Sequence, residues 1–234
     1  MFASNVYIKS ALILASFIVS EAMYASMDVP SLVRWYGIIS LFLLVTVMLP
    51  GPLYRLYPEL PFKNGYRQSL GGLGISAFYF ALLHSYLGFF FTLLGFQGLP
   101  FLSGIFLWAL IVGLVSFLIL AAMAATSFTW AMRELGPWWK FIHRFVYVAG
   151  IALIIHAILI GSDYRDLTQP IGLVSVIAVT VLVILQAISL RRYFVTHHPG
   201  VPSWIFTASI SFILVGSYYV LYSLHEFIAG GHVH

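Results

Sequence analysis

Seven long apolar segments dominate the sequence and restrict the chain to folds whose helices are surrounded by lipid. They lie at residues 6–24, 31–49, 69–93, 103–128, 141–161, 170–190 and 203–224. As helices rising about 1.5 Å per residue, they can cross about 30 Å of hydrocarbon. Because 62% of the residues are apolar and only 8% are charged, a soluble fold of this length could not bury them. We therefore predict an all-α integral membrane protein, a bundle of about seven transmembrane helices.

The breaks between these segments carry turn residues, such as Pro50-Gly51-Pro52 and Gly136-Pro137. The longest break has only about twenty residues, too few for a soluble domain. We predict that residues 1–234 form a single transmembrane domain. Residues 6–24 with Lys9 resemble a signal peptide. We expect this first helix to be retained, because all the loops satisfy the positive-inside rule only if it is counted as a span.

Basic residues collect on one side of the predicted bundle. Nine of the eleven lie at the same set of segment ends: Lys9, Arg55, Lys63, Arg67, Arg133, Lys140, Arg144, Arg191 and Arg192. By the positive-inside rule this side faces the cytoplasm, which predicts a cytoplasmic N-terminus and an external C-terminus. The net charge of +4 is small and does not indicate a nucleic-acid partner. Since the chain has no cysteine, thiolate-ligated metals, iron–sulfur clusters and disulfides are excluded.

Two of the eight histidines, His84 and His156, lie deep inside apolar segments, where ionisable side chains are costly and usually functional. Each follows the predicted start of its segment, Ser69 or Phe141, by 15 residues, or about 22 Å along a helix. The third and fifth segments run parallel, so the two side chains are expected at the same depth. A bis-histidine heme requires this arrangement, because its iron takes one nitrogen from each side.

Two other interpretations of this histidine pair stay open. Each histidine could hydrogen-bond a neighbouring helix and only hold the bundle together. The pair could also belong to a proton relay, although no carboxylate is predicted at that depth. His143 precedes His156 by 13 residues, which on an ideal helix places it about 140° away around the axis. A shared face would therefore require a bend or a π-bulge.

A recognisable series of residues runs from the end of the fourth segment, through the break after it, into the fifth segment. They are Thr126-Ser127, Leu135-Gly136, Trp139, His143-Arg144-Phe145-Val146-Tyr147 and His156; the third segment adds the stretch from Leu73 to His84. This series resembles the ferric-reductase-like transmembrane domain family over about residues 31–190. Within that family it is most similar to the heme-binding membrane subunit of the periplasmic methionine sulfoxide reductase system.

The resemblance implies a bacterial inner-membrane protein with b-type heme iron ligated by His84 and His156. It makes His143 a candidate ligand for a second heme or another inner cofactor. In the oxidase branch of the family a further histidine stands where this chain has Leu70 and Gly71. The glycines at 71, 72 and 74 could admit a flat ring there, or could let two helices pack closely.

These observations predict an oxidoreductase component that conducts electrons through the membrane. A separate cytoplasmic donor, a flavin reductase or a quinol, would reduce it near the basic ends. There Arg67, Lys140 and Arg144 would favour an anionic FMN or heme propionates. The acceptor would lie outside, for example a periplasmic reductase. The alternatives are a heme-free structural or transport subunit, or the quinone-coupled anchor of a larger complex.

The outer end of the chain carries three more histidines, His225, His232 and His234. Such a terminal cluster could bind copper or zinc, or nothing specific.

Overall fold

The computed structural model describes residues 2–161, 168–198, 200, 202–205 and 207–209. In this part of the chain every regular element is a helix and no strand occurs. The α-helices are α1 (Phe2–Ser26), α2 (Val29–Met48), α3 (Pro50–Leu56), α4 (Lys63–Leu87), α5 (Gly104–Ala125), α6 (Thr129–Leu135), α7 (Pro137–Arg144), α8 (Val146–Ile160) and α9 (Pro170–His197).

Six helical stretches in the described residues are long and apolar enough to cross a membrane. They are Val6–Ser26, Val29–Leu56, Lys63–Thr92, Gly104–Ala125, Pro137–Ile160 and Pro170–His197. They match the first six predicted segments, which confirms the prediction of an all-α integral membrane protein. The seventh segment, 203–224, and the histidines at 225, 232 and 234 lie largely or wholly outside the described residues.

Proline sets the start of three helices in this chain. Pro50, Pro137 and Pro170 stand at the first position of α3, α7 and α9. Proline suits this position because its fixed φ is already helical and its missing N–H would have no partner there. At α2 the Asp28 carboxylate accepts a hydrogen bond from the Ser31 backbone N–H at 3.3 Å. Hydrogen bonding by Ser31, through its side chain first and its backbone second, lowers the pKa of Asp28. Helix α4 begins at Lys63, six residues before its predicted start, because a helix can continue past the hydrocarbon through polar residues.

The helices fall into two compact units. The first comprises residues 1–48 and 62–156, and the second comprises residues 49–61 and 157–234. In the second unit α3 packs on α9, where the Arg55 guanidinium donates to Ser189 Oγ at 3.0 Å. Arg192 also donates to the carbonyl of Leu56, at the last residue of α3. The paired histidines belong to the first unit.

Helix α4 is the centre of the first unit, because α1, α2 and α5 all pack on it. One cluster of buried side chains joins α2 and α4, and consists of Leu32, Tyr36, Phe80 and Leu87. Two buried serines add interhelical hydrogen bonds: Ser40 donates to the Ala77 carbonyl and Ser116 to the Ala149 carbonyl, each at 2.9 Å. Such bonds help helices associate in lipid, where no water competes for the polar groups.

A polar cluster ties α1 to this core. The Ser20 hydroxyl donates to its own helix at the Phe17 carbonyl, so the Tyr79 hydroxyl, 2.7 Å away, donates to Ser20 Oγ. The Tyr36 hydroxyl donates to the Ser20 carbonyl at 2.9 Å. The first helix is therefore an integral part of the packed unit.

We expect Tyr79→Phe to lower the free energy of unfolding by about 1 kcal/mol, the usual size of one interhelical hydrogen bond in a membrane protein. The ring remains in place, so the change isolates the hydroxyl. Thermal unfolding in detergent measures it. Tyr86→Phe is the matched control, since Tyr86 is 52% exposed and no hydrogen bond of its hydroxyl is seen in the described residues. Equal melting temperatures for the two variants would show that the Ser20–Tyr79 bond contributes nothing.

Candidate functional site

His84 lies near the end of α4 and reaches across to α2. Its Nδ1 atom is 2.7 Å from the carbonyl oxygen of Val33. A carbonyl can only accept, so the proton of the neutral ring is on Nδ1. The other ring nitrogen, Nε2, keeps its lone pair. This is the tautomer in which a histidine can bind a metal through Nε2.

His156 repeats this arrangement on another pair of helices. It lies on α8, and its Nδ1 atom is 2.8 Å from the carbonyl oxygen of Ala109 on α5. Its proton is therefore also on Nδ1. Metal-bound histidines usually donate their second ring N–H to a carbonyl or carboxylate, which fixes the ring and makes the ligating nitrogen more basic. Both histidines have this outer partner.

The two imidazoles face each other inside the first unit. Their ring centroids are 6.0 Å apart and their planes are nearly perpendicular, at 89°. An imidazole nitrogen lies about 2 Å from a metal that it binds, and the ring centroid lies about 1 Å behind that nitrogen. Two imidazoles that bind one metal from opposite sides therefore have centroids about 6 Å apart. Both residues are half-buried rather than fully enclosed. The separation, the tautomers and the accessibility all fit two axial ligands of one heme iron.

The structure thus brings together the two histidines that the sequence analysis paired. Equal depth on parallel helices predicted this proximity, although the true starts of the helices differ from the predicted ones. His84 comes 21 residues after Lys63 at the start of α4, and His156 comes 19 residues after Pro137 at the start of α7. The two offsets remain similar, so the two histidines are still expected at similar depth. Ligation of heme by this pair stays a prediction.

His143 occupies a separate polar cluster at the opposite end of the first unit. Its Nε2 atom is 3.2 Å from Thr126 Oγ1, and its ring packs against that of Trp139 with centroids 4.3 Å apart and planes tilted by 33°. The Trp139 indole N–H in turn donates to the Thr126 carbonyl at 3.0 Å. The helix is interrupted at Phe145, between His143 and His156. At this interruption the Phe145 N–H donates to the Ile142 carbonyl at 3.0 Å, and the Nε2 of His143 already has a protein partner.

Lys9 of α1 joins this cluster, which the sequence analysis did not foresee. Its ammonium donates to the Ser127 carbonyl at 2.6 Å and lies 5.0 Å from the centre of the Phe128 ring. A Cβ atom on Gly71 would lie 3.6 Å from the Lys9 Nζ atom. The Lys9 side chain thus passes over the position where the oxidase branch has its further histidine.

Of the glycines near residue 71, Gly72 lies at a close contact between helices. A Cβ atom on Gly72 would lie 2.9 Å from Leu12 Cδ1 and 3.2 Å from the Cα of Lys9, so the glycine lets α1 approach α4 closely. Gly74 has no neighbour within 4 Å of such an atom. Close helix packing is therefore the better interpretation for Gly72, whereas a Cβ on Gly71 would make only ordinary contacts with the Lys9 side chain.

The three basic residues predicted to attract an anionic cofactor are exposed. Arg67 lies in the second turn of α4, and Lys140 and Arg144 lie on α7. Within the described residues none of these side chains makes a hydrogen bond. They remain available to a ligand, and the structure does not bring them into a defined pocket.

Sequence reasoning missed the groups that hold the two histidine rings. Gly37 and Gly113 are the residues against which the imidazoles of His84 and His156 pack. The carbonyls of Val33 and Ala109 belong to the backbone, and since every residue has one, the residue types do not indicate which carbonyls contact the rings. The one available signal was a glycine in the apolar segment before each histidine-bearing segment, and glycine is common in membrane helices for many reasons.

The fold and the histidine pair define a class of protein: a helical membrane protein with two imidazoles facing each other between its helices. Comparison with known proteins narrows this class. The chain is 32% identical to the protein-methionine-sulfoxide reductase heme-binding subunit MsrQ of Cronobacter sakazakii over 160 residues, which cover 64% of this chain and 78% of that protein. The chain belongs to this MsrQ family.

Other relatives match over shorter stretches. The MsrQ of Bordetella parapertussis is 45% identical over 67 residues, and that of Yersinia pseudotuberculosis is 45% identical over 47 residues. The Bordetella match covers 29% of this chain and spans about a third, 32%, of that relative. No protein-family model matches the chain.

Proposed function

We propose that this chain binds b-type heme between His84 and His156 and conducts electrons across a bacterial inner membrane. The observation that carries the proposal is the pair of imidazoles, 6.0 Å apart and each with Nδ1 on a helix carbonyl. The relatives in the MsrQ family, named as heme-binding subunits of a methionine sulfoxide reductase, support the same cofactor. When bound, heme would supply a one-electron carrier, and with imidazole on both sides it would not take up dioxygen.

The protein's own contribution is to hold the two ring nitrogens in place before heme arrives. Because each Nδ1–H is engaged by a carbonyl, neither ring can turn or change tautomer without losing a hydrogen bond. The surrounding apolar helices exclude water, which strengthens these contacts. The site therefore needs little rearrangement when it accepts heme or an electron.

We place the electron donor at the end of the first unit that carries His143. The exposed side chains of Arg67, Lys140 and Arg144 would attract an anionic FMN, heme propionates or the acidic surface of a soluble flavin reductase. His143 and Trp139 offer an aromatic surface for such a cofactor. A second heme, FMN or a quinone is compatible with this end.

We place the acceptor on the outer side of the membrane, opposite the basic ends where the donor would bind. The positive-inside rule supports this direction, with the N-terminus in the cytoplasm. The name of the relatives, a subunit of a methionine sulfoxide reductase, favours a reductase chain as the partner. This chain would then be the membrane component of a two-part oxidoreductase.

Electron transfer across a vesicle membrane tests the proposal. The purified protein is incorporated into liposomes that contain ferricyanide, and NADH with a soluble flavin reductase is added outside. We expect heme to become reduced and the trapped ferricyanide to be consumed, because the protein is the only path between them. Vesicles containing the His84→Ala, His156→Ala double variant are the control. Equal ferricyanide loss in both preparations would refute conduction.

The same vesicles separate the remaining alternatives. A quinone-coupled anchor would show heme reduction by quinol that does not change when the flavin reductase is omitted. A heme-free structural subunit would show no b-type absorption bands after dithionite is added. Either result would replace the proposed donor or the proposed cofactor.

A further inference from the structure

The two histidines share a second feature, a glycine placed four residues after the carbonyl that each ring contacts. Val33 is followed by Gly37 on α2, and Ala109 is followed by Gly113 on α5. In an α-helix the carbonyl of residue i accepts the N–H of residue i+4, so the Cβ of residue i+4 lies beside that carbonyl. A ring that approaches the carbonyl from outside must occupy this space.

The space is too small for any side chain. A Cβ atom on Gly37 would lie 2.9 Å from Nδ1 and 3.1 Å from Cε1 of His84. A Cβ atom on Gly113 would lie 2.5 Å from Nδ1 and 2.8 Å from Cε1 of His156. Contacts under 3.0 Å essentially never occur at real Cβ atoms, so an alanine at either position would displace the imidazole.

We propose that Gly37 and Gly113 are positioning residues that seat the two heme-ligand histidines on the carbonyls of Val33 and Ala109. The inference rests on the proposed function, since it assigns the glycines to the heme ligands. In each half of the site one helix supplies a carbonyl and a glycine four residues apart, and another supplies the imidazole. The two halves are built alike although they use different helices.

General helix packing does not account for these two glycines. Gly72 faces the side chain and backbone of α1, and Gly74 and Gly104 have nothing within 4 Å of a Cβ position. Of Gly37, Gly72, Gly74, Gly104 and Gly113, only the first and the last would bring a Cβ against an imidazole. At both positions the atom nearest to the Cβ would be the histidine Nδ1, whose N–H donates to the carbonyl of Val33 or Ala109. Displacement of the ring would therefore break this hydrogen bond first.

The test compares Gly37→Ala and Gly113→Ala with Gly74→Ala and Gly104→Ala, controls that place the same methyl group in open space. We expect the first two variants to bind heme about 10- to 100-fold more weakly, the usual effect of losing the outer partner of a metal-bound histidine. The larger loss is expected for Gly113→Ala, where the contact is shorter. The heme they retain should have a higher midpoint potential and a shifted low-spin electron paramagnetic resonance spectrum, because the ligating nitrogen becomes less basic.

A second measurement on the heme-free full-length protein reports on the rings themselves. With 15N-labelled histidine, nuclear magnetic resonance distinguishes a hydrogen-bonded Nδ1–H from a free one. We expect the bonded form at His84 and His156 in the wild type, and its loss at His84 in Gly37→Ala and at His156 in Gly113→Ala. This readout does not depend on heme binding.

The outcomes are distinct. The proposal would be overturned if Gly37→Ala and Gly113→Ala kept the heme affinity, midpoint potential and spectrum of the wild type. It would also be overturned if all four variants lost heme affinity equally. If the wild type binds no heme, the proposed function fails and the glycines seat no heme ligand. The nitrogen resonances then show whether the glycines still hold the two rings on their carbonyls.

Discussion

Replacing His84 or His156 with alanine is expected to reduce bound heme at least about tenfold, the largest functional effect we anticipate for any single substitution. Each change removes one ring nitrogen and leaves the opposite imidazole as the only axial partner. The wild-type protein should show the spectrum of a six-coordinate, low-spin b-type heme. Heme per chain, measured after purification in detergent, and the dithionite-reduced spectrum test this expectation.

His197→Ala is the matched control for loss of a histidine. Its Nδ1 atom also contacts a carbonyl, that of Tyr193, but within its own helix and on an exposed surface. We expect its heme content to equal that of the wild type. If His84→Ala and His156→Ala also keep wild-type heme, the two paired histidines are not the ligands and the conduit hypothesis fails.

His143→Ala distinguishes one cofactor from two. The Nε2 of His143 contacts Thr126 Oγ1, so we expect this variant to keep the heme held by the other pair. If the variant instead loses about half of the bound heme, His143 is a ligand of a second heme, for the same reason that loss of heme would identify His84 and His156 as ligands.

Gly72→Leu is expected to cause the largest loss of stability. A Cβ alone at residue 72 would meet Leu12 Cδ1 at 2.9 Å and the Lys9 backbone at 3.2 Å, so a leucine must push α1 away from α4. Overpacking of a tight contact costs about 1–3 kcal/mol and sometimes more. Displacement of α1 would also weaken the contact of the Lys9 ammonium with the Ser127 carbonyl. We expect a markedly lower temperature of thermal unfolding in detergent.

Gly74→Leu provides the control, since it adds the same side chain two residues later on the same helix, where nothing lies within 4 Å. Its unfolding temperature should stay near that of the wild type. Similar unfolding temperatures for the two leucine variants would show that α1 is not held at Gly72, and that the first helix is a loosely attached segment.

The sequence analysis identified the transmembrane helices because lipid imposes a simple requirement. A chain in hydrocarbon must satisfy its own backbone groups, so each long apolar segment becomes a helix. The errors were at helix ends, as at Lys63, where α4 begins in polar residues before the hydropathy rises. The pairing of His84 with His156 also followed from the sequence, because depth along parallel helices can be counted in residues.

The surroundings of the histidines required the tertiary structure. Whether His84 meets a carbonyl depends on how α4 is rotated against α2, and residue types do not record that rotation. For the same reason Gly37 and Gly113 were indistinguishable in sequence from glycines that only pack helices. Lys9 served in the sequence only as a positive charge, because its carbonyl partner, Ser127, is 118 residues away.

The sequence by itself therefore determined that this is a helical membrane protein with two histidines at one depth in its apolar segments, since hydropathy and helical rise are local properties of the chain. Only the tertiary structure decided which nitrogen of each ring is left for a metal. That choice depends on backbone carbonyls of neighbouring helices and on the absence of two Cβ atoms beside them.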